Sequence, residues 1–268
     1  MLRLPAVAGR FYPADPQELT RLVRRYAAPD PQFKPQRFSA CLVPHAGYMY
    51  SGHVAGAVYS RIVPPQKIII LGVRHFPRGK PAAILTSGAW RTPLGDAPID
   101  EPLAQSLLHD CPILSEDSVA HLTEHSLEVQ LPFLQVLAAN FSFVPVALGG
   151  IHFDDLAAVG QALAKILHAN PEVLLLTTSD LNHYQDDRVT RTKDKKAIDQ
   201  LLALDARGLY DVCRNEEISM CGLGPAVATL TALRALNANR AELVRYATSA
   251  DVSGDTSSVV GYAGMIFA

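Results

Sequence analysis

The chain has 268 residues, of which 49% are hydrophobic and 19% are charged, with no excess of glycine, proline or cysteine. This composition is typical of a globular protein with a large core, and it excludes a disordered or fibrous chain. Lysine and arginine total 24 against 26 aspartate and glutamate residues, so the formal net charge is −2. A chain without an excess of positive charge binds phosphate backbones poorly, and we expect no nucleic-acid partner.

The four cysteines are Cys41, Cys111, Cys213 and Cys221, and none belongs to a CxxC motif. They predict neither a disulfide framework nor a zinc ribbon, so reduced thiols in a cytoplasmic protein fit best. The first residues, MLRLPAVAGRFYP, lack the apolar stretch of a secretion signal, and no apolar run approaches the ~20 residues that cross a bilayer. We therefore expect a cytoplasmic protein with no membrane partner.

Short, branched apolar runs alternate with longer helical patterns along most of the chain. The runs predict strands at Ala40–Val43, Lys67–Leu71, Ala82–Thr86, Phe143–Leu148 and Val173–Thr178. The longer patterns predict helices at Pro16–Tyr26, Gly52–Ile62, Pro102–Leu108, Ser126–Ala139, Asp154–His168, Thr192–Leu204 and Pro225–Leu236. This alternation predicts a mainly parallel sheet that is covered by helices on both faces.

Two segments interrupt the alternation. Ser87–Pro98 is rich in glycine and proline and predicts a hairpin or an extended connection, and the C-terminal part predicts strands at Tyr246–Ala247 and Ser258–Phe267. The sheet is therefore expected to be mixed. Because no repeat, low-complexity tract or convincing linker divides the chain, we expect one three-layer α/β domain over residues 1–268.

Several side chains that can bind metals or move protons follow predicted strands. His45 and His75 each come shortly after one strand, and Asp180 and His183 follow a third. Loops and helix N-termini converge at the carboxyl ends of the strands in an open α/β sheet, so these residues are expected to meet at one edge. Imidazole is both a common metal ligand and a general base near pH 7. The cluster therefore predicts a metal site or an acid–base site, and spacing does not choose between them.

Cys221 lies just before a predicted helix that has Pro225 in its first turn. A thiol near a helix N-terminus tends to have a lowered pKa, which suits a nucleophile or a soft metal ligand. The alternative is a small buried hydrophobic residue, which is the usual environment of a free cysteine. We interpret the other three cysteines as structural.

The residues from His121 to His125 read HLTEH, which matches the H-x-x-E-H pattern of inverted zinc peptidases. That site needs both histidines on one helical face. A helix that starts at Thr123 or Ser126 leaves His121 outside, so we expect that His121 is not a ligand. In the other interpretation, Glu124 and His125 lie on the loop before the helix, face the same edge cluster and are candidate catalytic residues.

Seven motifs occur in order along the chain: PAVAGRFYP, VPHAGYMYSG, LGVRHF, EHSLEVQLPFL, TTSDLNHY, CGLGP and SSVVGYAGMIF. Together they resemble the Memo family, whose bacterial and archaeal members are called AmmeMemoRadiSam system protein B, and the resemblance covers nearly the whole chain. It implies a single α/β domain similar to the class III extradiol dioxygenases, which are non-haem iron enzymes that open catechol rings.

By motif, the resemblance implies that His45 and His75 match the two histidine ligands of those dioxygenases, that His183 matches their catalytic base, and that His125 is a further active-site histidine. Cys221 stands where the dioxygenases have a carboxylate ligand, and a thiolate changes the charge, redox tuning and metal preference of a site. Within Memo proteins, the His, His, Cys set is associated with iron or copper. A shared metal requires the imidazoles of His45 and His75 to lie within about 6 Å, because metal bonds are roughly 2 Å long.

Three functional hypotheses follow. In the first, a metal-dependent redox enzyme holds iron, or copper as second choice, through His45, His75 and Cys221, and His183 moves protons while Asp180 orients it. The second is a binding or scaffold protein that uses the same cleft for a peptide or a small anion, as the resemblance to eukaryotic Memo, described as a phosphotyrosine-peptide adaptor, suggests. The third is a component that acts with AMMECR-type and radical-SAM proteins.

Overall fold

The computed structural model of the chain describes residues 1–138 and 140–268. The strands are β1 (Leu2–Arg3), β2 (Ala40–Val43), β3 (Lys67–Val73), β4 (Ala82–Ile84), β5 (Ala89–Thr92), β6 (Gly95–Pro98), β7 (Ser115–Glu116), β8 (Ser142–Leu148), β9 (Leu174–Thr178), β10 (His183–Gln185), β11 (Ala241–Thr248) and β12 (Val259–Phe267). The α-helices are α1 (Pro16–Tyr26), α2 (Tyr48–Tyr59), α3 (Glu101–Asp110), α4 (Leu131–Leu137), α5 (Phe153–Ala169), α6 (Asp187–Leu202), α7 (Ala206–Asn215), α8 (Leu223–Ala235) and α9 (Ala250–Ser253). Across these described residues, no helix is both long and apolar enough to cross a membrane.

The strands form one large sheet and one small sheet. The large sheet has the order β10-β12-β2-β9-β3-β8-β4-β7, with β11 paired to β12, and β1, β5 and β6 form the small sheet. Strands β2, β9, β3 and β8 are parallel, whereas β12 is antiparallel to β2 and β4 is antiparallel to β8. The prediction of an α/β fold with a mixed sheet and parallel strands at its centre is confirmed.

Helices cover both faces of the large sheet. Helix α8 packs on β2, β3 and β9 and against α5 and α7, whereas α2 packs on β2, β11 and β12 and against α1. On β12, Gly264 approaches Val54 and Val58 of α2, while Gly261 approaches Asp194 of α6, which shows that α2 and α6 lie on opposite faces. The central strands are buried on both faces, and for this reason their sequences are continuous apolar runs.

The segment between β7 and α4 differs most from the prediction. We expected one helix over Ser126–Ala139, but a 3₁₀ turn covers Glu128–Gln130, α4 covers only Leu131–Leu137, and Ala139 lies outside the described residues. The Ser126 hydroxyl bonds to the backbone N–H and the carbonyl of Val73. These long-range bonds hold the segment against β3 and prevent a regular helix from starting at Ser126.

Helix α2 covers Tyr48–Tyr59 and so starts and ends earlier than the predicted Gly52–Ile62, and further differences concern polar elements. Helix α7 was not predicted, because its exposed face is charged and its buried positions are few. Helix α6 starts earlier than predicted, since the Asp186 side chain accepts from the backbone N–H of Val189 and acts as an N-cap. The segment Ser87–Pro98 forms the β5–β6 hairpin, as predicted.

Candidate metal centre

Three loops at the carboxyl ends of parallel strands carry most of the site. His45 lies two residues after β2, His75 two residues after β3, and Asp180 two residues after β9. Because these three strands are neighbours in the sheet, their loops meet at one edge, as predicted. The segment that carries Cys221 reaches the same edge just before α8.

His45, His75 and Cys221 form a compact set of possible ligands. One ligand atom from each lies within 4.8 Å of the other two. The Nε2 atom of His45 is 3.1 Å from the Sγ atom of Cys221, and the ring centroids of His45 and His75 are 5.1 Å apart, so the expected approach within about 6 Å is confirmed. An ion with bonds of roughly 2.0–2.3 Å fits among ligand atoms at such separations.

Hydrogen bonds at the Nδ1 atoms orient both imidazole rings. The Nδ1 atom of His45 is 2.8 Å from the hydroxyl of Thr178, which also accepts from the Gln130 side-chain amide. The Nδ1 atom of His75 is 2.9 Å from the Glu124 carboxylate. Since Nδ1 is engaged in each ring, Nε2 is left for the site, which is the usual arrangement around metal-binding histidines. Thr178 and Gln130 were not predicted to belong to the site, because their positions are typical of a strand and a helix.

Glu124 is fully buried and reaches the site through His75. Its oxygens accept from the backbone N–H of His75 at 2.7 Å, from the His75 ring and from the backbone N–H of Ser126 at 2.8 Å. Burial by itself would raise the pKa of Glu124, but these hydrogen bonds and the neighbouring imidazoles lower it to about 2. The carboxylate is therefore ionised and fixes the orientation of His75.

His125 lies beside His75, in the edge cluster that was predicted to include it. The two rings stack with centroids 4.6 Å apart, and the Phe11 ring meets His125 edge-on at 4.8 Å. Together with Glu124, these histidines form a second group whose ligand atoms lie within 4.8 Å of one another. Burial lowers the pKa of His125 to about 4, so its imidazole is neutral near pH 7 and can accept a proton.

The expectation of a lowered pKa for Cys221 is wrong for the metal-free protein. Its sulfur is 3.2 Å from the backbone nitrogen of Asp180, which donates a hydrogen bond to it. Nevertheless, burial, with the nearby charge of Asp180, raises the pKa of the thiol. The desolvation of the thiol raises its pKa by more than the nearby helix N-terminus lowers it. A cation deprotonates a coordinating thiol outright, so a thiolate at this position would require a bound cation.

The expectation that Asp180 orients His183 is also wrong. The Asp180 carboxylate accepts from the backbone N–H of His45 at 2.8 Å, and burial raises its pKa to about 6. The Nδ1 atom of His183 instead lies 3.0 Å from the carbonyl oxygen of Ser219. A carbonyl only accepts, so Nδ1 carries the proton and Nε2 is free to accept one. Burial lowers the pKa of His183, which keeps the ring neutral near pH 7.

Asn182 and Ser219 connect the two loops that carry His183 and Cys221. The Asn182 side-chain oxygen accepts from the backbone nitrogen and the hydroxyl of Ser219, both at 3.2 Å. The Ser219 hydroxyl in turn accepts from the backbone N–H of His183 at 2.8 Å. This connection was not predicted, because Ser219 lies just outside the CGLGP motif and its partner is 37 positions away.

His121 lies outside the site, so the H-x-x-E-H pattern does not form a zinc-peptidase centre. It belongs to the 3₁₀ turn Val119–His121, is fully buried, and its ring lies 5.6 Å from the Trp90 ring. Neither ring nitrogen has a hydrogen-bond partner in the part of the chain that the structure describes, and burial lowers the pKa to about 4. Within the same residues, His121 joins no group of potential metal ligands.

Comparison with known proteins agrees with this picture of the fold. A family profile described as Memo-like protein matches residues 3–266. The chain belongs to the Memo family. It is 40% identical to a MEMO1 family protein of Methanopyrus kandleri, over 100% of this chain and 99% of that protein, and 40% identical to one of Aquifex aeolicus, over 99% of each. An uncharacterized protein from Escherichia coli K12 has a similar fold, with a TM-score of 0.58 at 14% identity, over 86% of this chain and 100% of that chain.

Proposed function

We propose that this Memo-family protein binds iron, with copper as second choice, through His45, His75 and Cys221, and uses it in a redox reaction on a small molecule. The observation that carries the proposal is the approach of two imidazole nitrogens and one sulfur within 4.8 Å at the carboxyl edge of the sheet. Such a donor set suits iron and copper, and three protein ligands leave coordination positions for a substrate.

The bound metal would supply the redox chemistry, and the surrounding side chains would hold it and move protons. Glu124 and Thr178 keep the His75 and His45 rings turned towards the site. His183 is the proposed general base, because its Nε2 is free and its pKa is lowered by burial. His125, which is also neutral near pH 7, is the second candidate for proton transfer.

The second candidate is a non-enzymatic protein that binds a peptide or a small anion in the same cleft. Phe76 and Tyr184 support it, because each directly follows a site histidine and is exposed, Phe76 by 45% and Tyr184 by 78%. Exposed aromatic side chains beside a cleft are typical of ligand-binding surfaces. Action together with AMMECR-type and radical-SAM proteins is compatible with either role.

Anaerobic metal analysis tests the proposal. The purified protein is titrated with Fe(II) and Cu(I) and compared with the variants Cys221→Ser and Cys111→Ala. The parent and Cys111→Ala are expected to bind one equivalent, whereas Cys221→Ser is expected to bind at least about tenfold more weakly, because a hydroxyl is a poorer donor than a thiolate. A parent without stoichiometric metal, or Cys221→Ser with undiminished affinity, contradicts the proposal and favours the binding protein.

Cys221→Asp gives a sharper test of the dioxygenase ancestry. A carboxylate at this position completes a face of two histidines and one carboxylate, which is the ligand set of non-haem iron oxygenases. We expect the variant to bind Fe(II) more tightly than Cys221→Ser and to bind Cu(I) weakly. Equal Fe(II) affinity in the Asp and Ser variants would mean that position 221 does not face the metal.

A further inference from the structure

The buried tyrosines of this protein donate hydrogen bonds, with one exception. Three of them donate to a carboxylate, a backbone carbonyl or a side-chain amide: Tyr12, Tyr48 and Tyr59. Tyr262 is only 2% exposed, yet its hydroxyl makes no hydrogen bond to any residue that the structure describes. A buried tyrosine hydroxyl usually has a partner, so the partner of Tyr262 is expected to come from outside the chain.

The Tyr262 hydroxyl is not enclosed by protein. In residues 1–138 and 140–268, the buried side-chain atoms that are both sealed from solvent and unpartnered belong to Arg74, Trp90 and His121. The hydroxyl of Tyr262 is not among these atoms, so its oxygen opens onto space although its ring is buried. A phenol group in this situation is free to donate its hydrogen.

The position of Tyr262 on β12 places its ring beside the loop that follows β2 and carries His45. The preceding residue, Gly261, faces α6 and pairs through its backbone with the segment that contains Asn182. Successive residues of a strand face opposite sides, so Tyr262 faces α2, where it forms an apolar cluster with Val54 and Ala247, and Ala46 and Tyr50 pack against this cluster. Ala46 directly follows the proposed ligand His45.

The charge of Asp180 acts on the Tyr262 hydroxyl, which agrees with this position. Burial raises the pKa of Tyr262, and the first charge that adds to this effect is that of Asp180. Asp180 accepts from the backbone of His45 and donates its own N–H to the sulfur of Cys221. The backbone of Gly261 pairs with Leu181 and Asn182, which places Tyr262 near the loop where Asp180 contacts His45 and Cys221.

We propose that Tyr262 binds the small molecule of this site by donating a hydrogen bond to one of its oxygen atoms. The ligand class is a small molecule with an accepting oxygen, such as a carboxylate, a carbonyl or a phenolate, placed between the metal and the phenol. This inference rests on the proposed function. The inference concerns a contact between Tyr262 and the ligand, whereas the proposed function concerns the residues that bind the metal.

The test uses the isosteric variant Tyr262→Phe, which keeps the ring and removes only the hydroxyl. Tyr210→Phe is the matched control, because Tyr210 lies on α7 with its ring against Phe153, in a different layer from α2. Fe(II) affinity is measured first, anaerobically, for the parent and both variants. We expect the same affinity in all three proteins.

The iron-loaded proteins are then titrated with 4-nitrocatechol, whose visible absorption reports binding through phenolic oxygens. Loss of one hydrogen bond is expected to weaken binding of this probe roughly 3- to 10-fold in Tyr262→Phe and to leave Tyr210→Phe unchanged. Equal probe affinity in the parent and Tyr262→Phe, or no probe binding to the loaded parent, overturns the inference about Tyr262. A parent that fails to bind Fe(II) instead overturns the proposed function, and the first titration detects that failure separately.

Discussion

Glu124 and Glu128 lie four residues apart between β7 and α4, and both are fully buried, but their partners differ. Glu124 accepts from the backbone and the ring of His75, and from the backbone of Ser126. Glu128 instead forms an ion pair with Arg3 at 2.8 Å. One carboxylate is directed to a proposed metal ligand, and the other is directed to the N-terminal segment.

Hydrogen bonds to Glu128 hold the N-terminal segment beside the site. Besides Arg3, the carboxylate accepts from the backbone N–H groups of Ala6 and Val7 and from the Tyr12 hydroxyl. Phe11, which packs on His125, belongs to the segment held in this way. A buried carboxylate that faces an imidazole therefore fixes the orientation of a side chain at the site, whereas one that faces a guanidinium stabilises the fold.

The largest effect is expected from Glu128→Ala. It leaves the Arg3 guanidinium buried without its partner, and loss of one member of a buried pair costs about 3–5 kcal/mol of unfolding free energy. Urea unfolding measures this change. The control is Glu242→Ala, whose partly exposed pair with Arg61 is expected to contribute less than about 1 kcal/mol. A loss in Glu128→Ala no greater than in the control contradicts the assignment of Glu128 to stability.

Asp194 is a third buried carboxylate, and no guanidinium lies at hydrogen-bond distance from it among the residues that the structure describes. It accepts from the backbone N–H of Asn182 at 2.8 Å and from the Tyr246 hydroxyl at 2.7 Å, and burial raises its pKa from 3.8 to about 6. The carboxyl group of Asp194 therefore holds its proton more tightly in the folded protein than in the unfolded chain. The resulting stabilisation is present below pH 3.8 and is lost as the pH rises to about 6.

Asp194→Asn should remove this pH dependence, since the amide oxygen can accept from the backbone N–H of Asn182 and the amide NH2 can donate to the Tyr246 oxygen, and neither group ionises. We expect the variant to be more stable than the parent at pH 7, by up to about 2–3 kcal/mol, and the difference to shrink towards pH 4. Urea unfolding at several pH values from 4 to 8 measures it. A difference that does not change with pH would show that Asp194 ionises normally in the folded protein.

Glu124→Gln tests the other carboxylate of the pair. An amide cannot accept from all the N–H groups that now meet the carboxylate, so the His75 ring loses its fixed orientation. Loss of such a supporting partner typically weakens metal binding by about 10- to 100-fold. Fe(II) titration of Glu124→Gln and Glu128→Gln checks this. Equal weakening in both variants would remove the distinction between the two carboxylates.

The location of the site could be predicted from the sequence, but its supporting contacts could not. His45, His75 and Asp180 follow continuous apolar strands, and the geometry of a parallel sheet brings such positions to one edge. The partners of His45 and His183 are Thr178 and Ser219, and these pairings depend on tertiary packing between distant segments. No local sequence pattern predicts such contacts.

The two wrong expectations about the site have the same physical origin. The sequence places Cys221 near a helix N-terminus, which by itself lowers a thiol pKa, but it does not reveal how much water the folded chain removes. It also places Asp180 three residues before His183, yet the Asp180 carboxylate turns to the backbone of His45. Burial and side-chain direction are properties of the assembled edge, so local spacing predicted the members of the site better than their contacts.

The smallest effect is expected from His121→Leu, which tests whether HLTEH has any part in metal binding. His121 is sealed beside Trp90 with neither ring nitrogen partnered in the described parts of the chain, and burial holds its pKa near 4, so the ring is neutral. Leucine has a similar volume and no polar atoms, so we expect a stability change within about 1 kcal/mol and an unchanged Fe(II) affinity. His125→Leu is the matched comparison, because His125 contacts His75 directly and its loss is expected to alter the site. If His121→Leu lost stoichiometric metal while remaining folded, the buried turn would have to open on metal binding, and the zinc-peptidase pattern would regain its meaning.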